Sequence, residues 1–148
     1  RADELQRQLL ELGDKDAKVF AVLSQAYGMP KDTPEQQAEK TRVMEAALKE
    51  CSDVPLSIME KCCEAIELHK EFAAKGTAIA ISDVGVGVAL CRAALQGASL
   101  NIFINTKSMV DRDYAKAINS KAEAMLERYV QLADSIYADV ARRFEQED

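Results

Sequence analysis

Tryptophan is absent from this sequence, and aromatic residues as a whole make up only 5% of it. With six glycines and three prolines in 148 residues, the chain is also poor in residues that break regular structure. Strands collect β-branched and aromatic side chains. A chain that is 48% hydrophobic, rich in alanine and short of aromatics therefore favours closely packed helices over a sheet. Histidine is nearly missing too, with His69 alone, and the four cysteines (Cys51, Cys62, Cys63, Cys91) form neither a C-x-x-C pair nor a zinc-like spacing with it. No metal site is expected. All four cysteines lie in apolar, helix-like segments and read as buried reduced thiols, which implies a reducing compartment such as the cytoplasm. Positive charge is in deficit, with a net charge of −6. That balance argues against nucleic acid or an anionic membrane as main partner, and an anionic small molecule would need a local cluster of Lys and Arg. There is no signal peptide, and no run of about 20 uncharged apolar residues that would span a bilayer. The length suits a single domain over residues 1–148 with a real core. Since the sequence opens on Arg1, inside a charged helical pattern and without an initiator Met, residues are expected upstream.

The most apolar stretch runs from Ile81 to Asn105. It carries one acid, Asp83, and no basic residue before Arg92. An ionised carboxylate among Ile, Val, Gly and Ala is costly to bury unless paired or hydrogen-bonded, so Asp83 is the first candidate for chemistry. Gly85-Val86-Gly87 suggests a dinucleotide fingerprint, but Leu90 occupies the third glycine position and no βαβ pattern surrounds it. Read as a helix, the small residues fall into rows. Gly85, Ala89, Ala93 and Gly97 recur every four positions, with Gly87, Cys91, Ala94 and Ala98 beside them. Such rows allow close helix approach, which offsets the roughly 1 kcal/mol that each helical glycine costs. The same face brings up Asn101 and Asn105. Asp83 and Asn105 stand about 33 Å apart along an unbroken helix. They can meet only if two copies cross antiparallel in a twofold dimer, or if the helix breaks near Gly97.

Around this stretch the remaining elements read as helices. Residues 2–27 place Leu5, Leu9, Leu12, Val19, Leu23 and Ala26 on a helical stripe whose missing member is Asp16. Two readings stay open there: Gly13-Asp14 breaks the helix and Asp16 sits in a new first turn, or Asp16 is a second carboxylate on the inner face. After a turn at Gly28-Met29-Pro30-Lys31-Asp32, Thr33-Pro34-Glu35-Gln36 carries a capping box and begins a helix to about Glu50. Ser52-Asp53-Val54-Pro55 signals a further start, and Gly76 the stop. His69, at the edge of that segment's apolar face, reads as a hydrogen-bonded structural residue. Beyond a turn near Asp111 a last helix carries Ile118, Ala122, Met125, Tyr129, Leu132, Ile136 and Val140 on one stripe, reads as structural throughout, and ends in a frayed acidic tail from Glu145 to Asp148.

The block Ser82-Asp83-Val84-Gly85-Val86-Gly87, followed by Ala93-Ala94-Leu95-Gln96-Gly97-Ala98-Ser99-Leu100-Asn101-Ile102-Phe103-Ile104-Asn105-Thr106-Lys107, resembles the C-terminal family of formiminotransferase-cyclodeaminases. That family includes formiminotetrahydrofolate cyclodeaminases and methenyltetrahydrofolate cyclohydrolases. Asp16-Ala17 with Phe20, the turn Ala26-Tyr27-Gly28-Met29-Pro30-Lys31 and Val54-Pro55-Leu56 extend the resemblance over nearly the whole chain in the family's order. Two departures stand out. The family's additional first helix, with its Pro/Gly-rich, Ser-containing turn, is absent, and Thr77 follows Gly76 where the family often has Asn.

The resemblance implies an all-α, up-and-down helical bundle that dimerises, with an acid matching Asp83 in the catalytic cleft and Asp16 as the second catalytic candidate. It implies a tetrahydrofolate derivative, polyglutamylated or not, as substrate, with no tightly bound cofactor. Hydrolysis of the methenyl form and cyclodeamination of the formimino form both pass through a tetrahedral carbon flanked by nitrogens, beside positive charge. An Asp can steady that cation, act as general base and return the proton to the departing nitrogen, without metal or nucleophilic cysteine. Ser82, Asn101 and Asn105 are candidates for hydrogen bonds to the pterin edge, and Lys31, Lys107 and Arg92 for the glutamate carboxylates. The residues do not separate the two reactions, and cyclodeaminase is named first. The alternative is a non-catalytic bundle whose small-residue stripe is only a dimer interface and whose Asp83 is a cap or structural acid.

Overall fold

The computed structural model describes residues 1–145, so all of the acidic tail except Glu145 lies outside the described residues. Four helices follow one another: α1 (Ala2–Tyr27), α2 (Pro34–Lys75), α3 (Ile81–Lys107) and α4 (Arg112–Arg142). A short 3-10 turn, Ala78–Ala80, leads into α3, and the described residues contain no strand. The expected all-α class is what the chain adopts. Consecutive helices run in opposite directions. Asn105 near the end of α3 meets Cys51 in α2, and Thr106 bonds Asn119 early in α4. At the other end of the bundle Gly85 abuts Val140. Helices α2, α3 and α4 enclose the main core, with Met59, Ile66, Val88, Leu95 and Ile102 fully buried. Helix α1 packs on α2 alone, and Val19 and Leu23 join Leu48, Cys51 and Val54 in a second, smaller cluster.

Two expected breaks do not occur. Helix α1 continues through Gly13-Asp14 to Tyr27. A single glycine costs a helix only about 1 kcal/mol, and the apolar stripe on both sides repays that by burial against α2. Asp16 is therefore mid-helix and half-buried, rather than in a first turn. The second difference is larger, because α2 begins at the expected Thr33 capping box but runs unbroken for 42 residues with Pro55 inside it. Proline lacks the N–H that would bond the carbonyl four residues back, and its ring crowds that carbonyl. The carbonyl is that of Cys51, in a buried residue, and the Asn105 side chain donates Nδ2–H to it at 2.9 Å. Residues 52–55 thus signal a local change of partner, with α3 supplying the hydrogen bond that α2 lacks.

The α3–α4 turn is fixed against α2 by charge. Glu45 accepts hydrogen bonds from the backbone N–H of Val110 (2.8 Å) and Asp111 (3.0 Å). Asp111 caps α4 through Tyr114 N–H and pairs with Lys49 at 2.6 Å. The hydrogen bond from Lys49 holds the Asp111 carboxyl below its usual range.

Taken alone, residues 78–107 are long and apolar enough to cross a membrane, with a mean hydropathy of 1.7 over an 18-residue window. Asp83 and Arg92 still interrupt it, so it holds no run of about 20 uncharged residues. Within the fold, α3 packs on α2 and α4 and keeps its third side open.

Asn105→Ala leaves the Cys51 carbonyl without a partner and should cost about 1–3 kcal/mol in urea unfolding. In a Pro55→Ala background, where a backbone N–H returns to that carbonyl, the same substitution should cost less, and additive losses would contradict the arrangement. The thiols give a second check. Burial pushes Cys51 and Cys62 up to about 11 and Cys63 to about 12. At pH 8 roughly one in a thousand of the first two is ionised. Half-buried Cys91 should react first with a disulfide reagent, and the other three only as the chain unfolds.

Candidate active site

Helix α3 is apolar on every side, and its three sides do different work. One side, with Val84, Val88, Leu95, Ala98 and Ile102, faces the core. The glycines serve close approach within the chain. A Cβ on Gly85 would lie 3.0 Å from Val140 Cγ1, and a Cβ on Gly87 would collide with the His69 ring. His69 is fixed there because Nδ1–H donates to the Ala65 carbonyl at 2.7 Å, which bears out its structural reading. The third side, with Val86, Ala89, Leu90, Ala93, Ala94, Gly97, Leu100, Asn101 and Ile104, is exposed. Val86, Leu90, Leu100 and Ile104 are each 60–66% exposed, and a Cβ on Gly97 would meet nothing within 4 Å. The two small-residue rows therefore divide. Gly85, Gly87 and Ala98 pack inside the chain, whereas Ala89, Ala93, Ala94 and Gly97 point away from it.

Asp83 heads this open side. It lies in the first turn of α3, where the helix dipole favours a carboxylate. The N-cap, however, is Ala80, and no side chain caps the helix. Asp83 is exposed, which corrects the expectation of an acid enclosed by its apolar neighbours. Helical periodicity sets it beside Ile79, Val86 and Leu90 on the outer side rather than with Val84 and Val88 on the inner one. Among the described residues its carboxylate has no ion-pair partner. Ser82, also exposed, lines a cleft of about 320 Å³ between α3 and the end of α4.

The other candidates gather at the opposite end. Helix α3 is unbroken through Gly97, so the alternative of a break there does not hold, and Asp83 stays about 33 Å from Asn105. Asp16 lies near Cys51, whose thiol is raised first by burial and then by the charges of Asp16 and Glu50. Asn105 reaches the same residue from α3, at its carbonyl. Lys31 borders a cleft of about 360 Å³ whose wall includes Lys40, Thr41 and Ser108, the residue after Lys107. Lys40 was not singled out from the sequence. Its ammonium bonds the Tyr27 and Met29 carbonyls at 2.7 and 2.9 Å and fixes the α1–α2 turn on which Lys31 sits. Asn101 lies exposed on the open side, one turn before Asn105.

Two of the polar candidates already have partners within the chain. Arg92 approaches Asp134 of α4 with Nε at 2.7 Å and Nη2 at 3.3 Å, and also donates to Gln96. The Asn105 amide closes the gap at Pro55. Among the described residues no group of three His, Cys, Asp or Glu is placed to hold a metal ion. The candidates thus fall into two groups along α3, with Ser82 and Asp83 at one end and Asp16, Lys31, Asn101, Asn105 and Lys107 towards the other.

Residues 1–124 match the model of the family described as Formiminotransferase-cyclodeaminase. A protein of Methylorubrum extorquens named methenyltetrahydrofolate cyclohydrolase is 35% identical over 140 residues, 95% of this chain and 67% of its own length. A rat protein named formimidoyltransferase-cyclodeaminase is 29% identical over 120 residues, 81% of this chain but 22% of its own length. The crystal structure of a formiminotetrahydrofolate cyclodeaminase from Thermotoga maritima superposes with a TM-score of 0.74 at 24% identity, over 97% of this chain and 65% of that one, and shows the shared fold. The chain belongs to the formiminotransferase-cyclodeaminase family.

Proposed function

We propose that this chain is an enzyme of folate one-carbon metabolism acting on a C–N bond, and that it works as a homodimer. The observation that carries the reading is the position of Asp83: an exposed carboxylate at the head of an open, apolar, small-residue helix side. Halfway between Asp83 and Asn105 stands Ala94, flanked by Ala93 and Gly97 on the same open side. A twofold axis passing there would let two copies of α3 approach closely at their small residues. It would also set Asp83 of each copy against the Asn101–Lys107 end of the other. The two groups then become one site, used twice.

In that site Asp83 takes a proton from water as its oxygen attacks the amidinium carbon of methenyltetrahydrofolate. The C–N5 bond breaks as the adduct's hydroxyl becomes the formyl carbonyl and gives up its proton to solvent, and the first proton passes to N5 to give the 10-formyl product. In cyclodeamination N10 attacks the formimino carbon and ammonia leaves, with the same carboxylate moving the proton between nitrogens. Asp16, half-buried beside Cys51, is the second acid. Ser82 and Asn101 offer hydrogen bonds to the pterin edge, and Lys31 and Lys107 offer charge to the glutamate carboxylates. The higher identity to a protein named as a cyclohydrolase supports hydrolysis as the first activity to test. The substrate brings its own reactive carbon, so the residues assigned here need no tightly bound cofactor. Thiols held reduced by burial suit a cytoplasmic setting.

Absorbance of the methenyl form provides the assay, with formiminotetrahydrofolate and methenyltetrahydrofolate offered in turn to the purified chain. Loss of a general base costs about 10²–10⁴-fold, so Asp83→Asn should cut turnover at least a hundredfold while leaving unfolding and dimerisation unchanged. A mutant that turns over at the unmutated rate would end the assignment. Were the chain a non-catalytic bundle, no conversion would occur and Asp83→Asn would alter stability alone. Gly97→Leu should yield a folded monomer that has lost turnover with Asp83 intact, since the added side chain meets nothing within one chain. A Gly97→Leu variant that stays dimeric and active would place the interface elsewhere.

A further inference from the structure

The cleft beside Ser82 has a feature that the catalytic reading leaves unused. Its walls are Ser82, Gly85 and Val86 from α3, Tyr137, Val140 and Ala141 from α4, and Phe144 just beyond α4. At about 320 Å³ it is at the small end of ligand pockets, which run roughly 300–1,000 Å³. Tyr137 and Phe144 are 53% and 62% exposed, in a chain with only four of each residue type. Tyr137 in α4 and Phe144 in the turn after it border a floor of Gly85, Val86, Val140 and Ala141. Contact between Gly85 and Val140 brings the two helices close enough to form that floor. Phe144 is held in place from behind: its N–H bonds the Ala141 carbonyl at 3.0 Å, and the neighbouring Arg143 donates to the Ala73 carbonyl of α2 at 2.8 Å. Asp83 follows Ser82 in the chain without lining the cleft; Val86, which helical periodicity sets beside Asp83, is the wall residue on that side.

Two exposed rings over an apolar floor, with the Ser82 and Tyr137 hydroxyls as the polar side-chain groups of the lining, fit a flat heteroaromatic ring better than a chain-like or charged ligand. Stacking on ring faces is worth most for planar bases, and the Ser82 hydroxyl can meet one edge nitrogen or oxygen. We infer that Tyr137 and Phe144 form the stacking walls of a pterin subsite, with Ser82 at its edge. This inference rests on the folate reading and adds to it. The last helix, which its sequence pattern marks as structural throughout, then carries substrate-binding residues at its end.

The test follows turnover of methenyltetrahydrofolate and binding of 5-formyltetrahydrofolate, a folate not consumed in the assay, by the purified chain. Tyr137→Ala and Phe144→Ala should each raise KM and Kd about tenfold with kcat changed much less. Tyr137→Phe and Phe144→Tyr, which keep the ring, should restore unmutated values. Binding of p-aminobenzoylglutamate, which lacks the pterin, should be insensitive to all four substitutions. If the unmutated chain converts and binds folates while the alanine variants keep their KM, the subsite is overturned and the folate reading stands. If Tyr137→Phe is as impaired as Tyr137→Ala, the hydroxyl rather than the ring acts, and the stacking role is overturned. If the alanine variants become monomeric with KM unchanged, the cleft is part of an interface and the subsite falls. If the unmutated chain neither binds nor converts a folate, the underlying reading fails and the pterin subsite with it.

Discussion

A helix that is apolar on every side must be covered on every side, and the fold is arranged around that requirement. Helix α3 meets α2 through Gly87 and the His69 ring, and α4 through Gly85 and Val140. Neither neighbour reaches the side that carries Leu90, Ala93, Gly97, Leu100 and Ile104. Four large apolar side chains at 60–66% exposure on one helix side form a contiguous strip of the sort that marks an interaction surface rather than scattered surface residues. The glycines show how the protein divides the task. Those at 85 and 87 are filled by a neighbour within the chain, whereas Gly97 faces open space. A glycine in mid-helix with nothing near it keeps the conformational cost of Gly without a packing return, unless a second surface supplies one.

The same helix stabilises its neighbour. An internal proline ordinarily ends or kinks a helix because a carbonyl four residues back loses its donor. In α2 the loss is made good from outside, by the Asn105 amide on the Cys51 carbonyl. The long α2 and the placement of the end of α3 are therefore one structural fact seen from two helices. The consequence reaches the candidate residues at that end. With Asn105 anchored, Asn101 one turn earlier and Lys107 just after it hold fixed positions relative to Asp16, which lies near Cys51 from the other flank of α2.

Much of this was readable before any coordinates. The Thr33 capping box, the helical stripes of α1 and α4, and the all-α class followed from spacing and composition, because each depends on residues near one another in sequence. The Ser82–Lys107 block carried the family resemblance in the same way. What the sequence concealed depends on contacts far along the chain. Pro55 reads as a helix start until Asn105, fifty residues later, is known to replace its missing donor. Gly13 reads as a break until burial of the stripe against α2 is weighed against one glycine. Asp83 reads as an enclosed acid because its neighbours in sequence are apolar, yet a helix turns neighbours to opposite sides, and only packing tells which side is inside. Tyr137 and Phe144 did leave a signal: two of few aromatics, seven apart, off the inner stripe of the last helix and at its end.

The exposure of Asp83 bears directly on how such an acid would work. A carboxylate in water is a weak base with no particular hold on a cation, because the solvent screens both roles. Burying it permanently within one chain would require a partner or a proton, and either would blunt it. An open helix side offers a third arrangement. The acid stays exposed to water in the separate chain, and would lose it only when apolar surfaces close around it, whether those of a second α3 or of a flat ring lodged in the neighbouring cleft. Leu90 and Val86 stand next to it as the surfaces that would exclude water on closure. On this view the apolar surroundings of Asp83, the small-residue strip and the aromatic cleft are parts of one device. Each leaves the acid accessible until the cation it must stabilise has arrived, and the attraction then acts in a medium that no longer screens it.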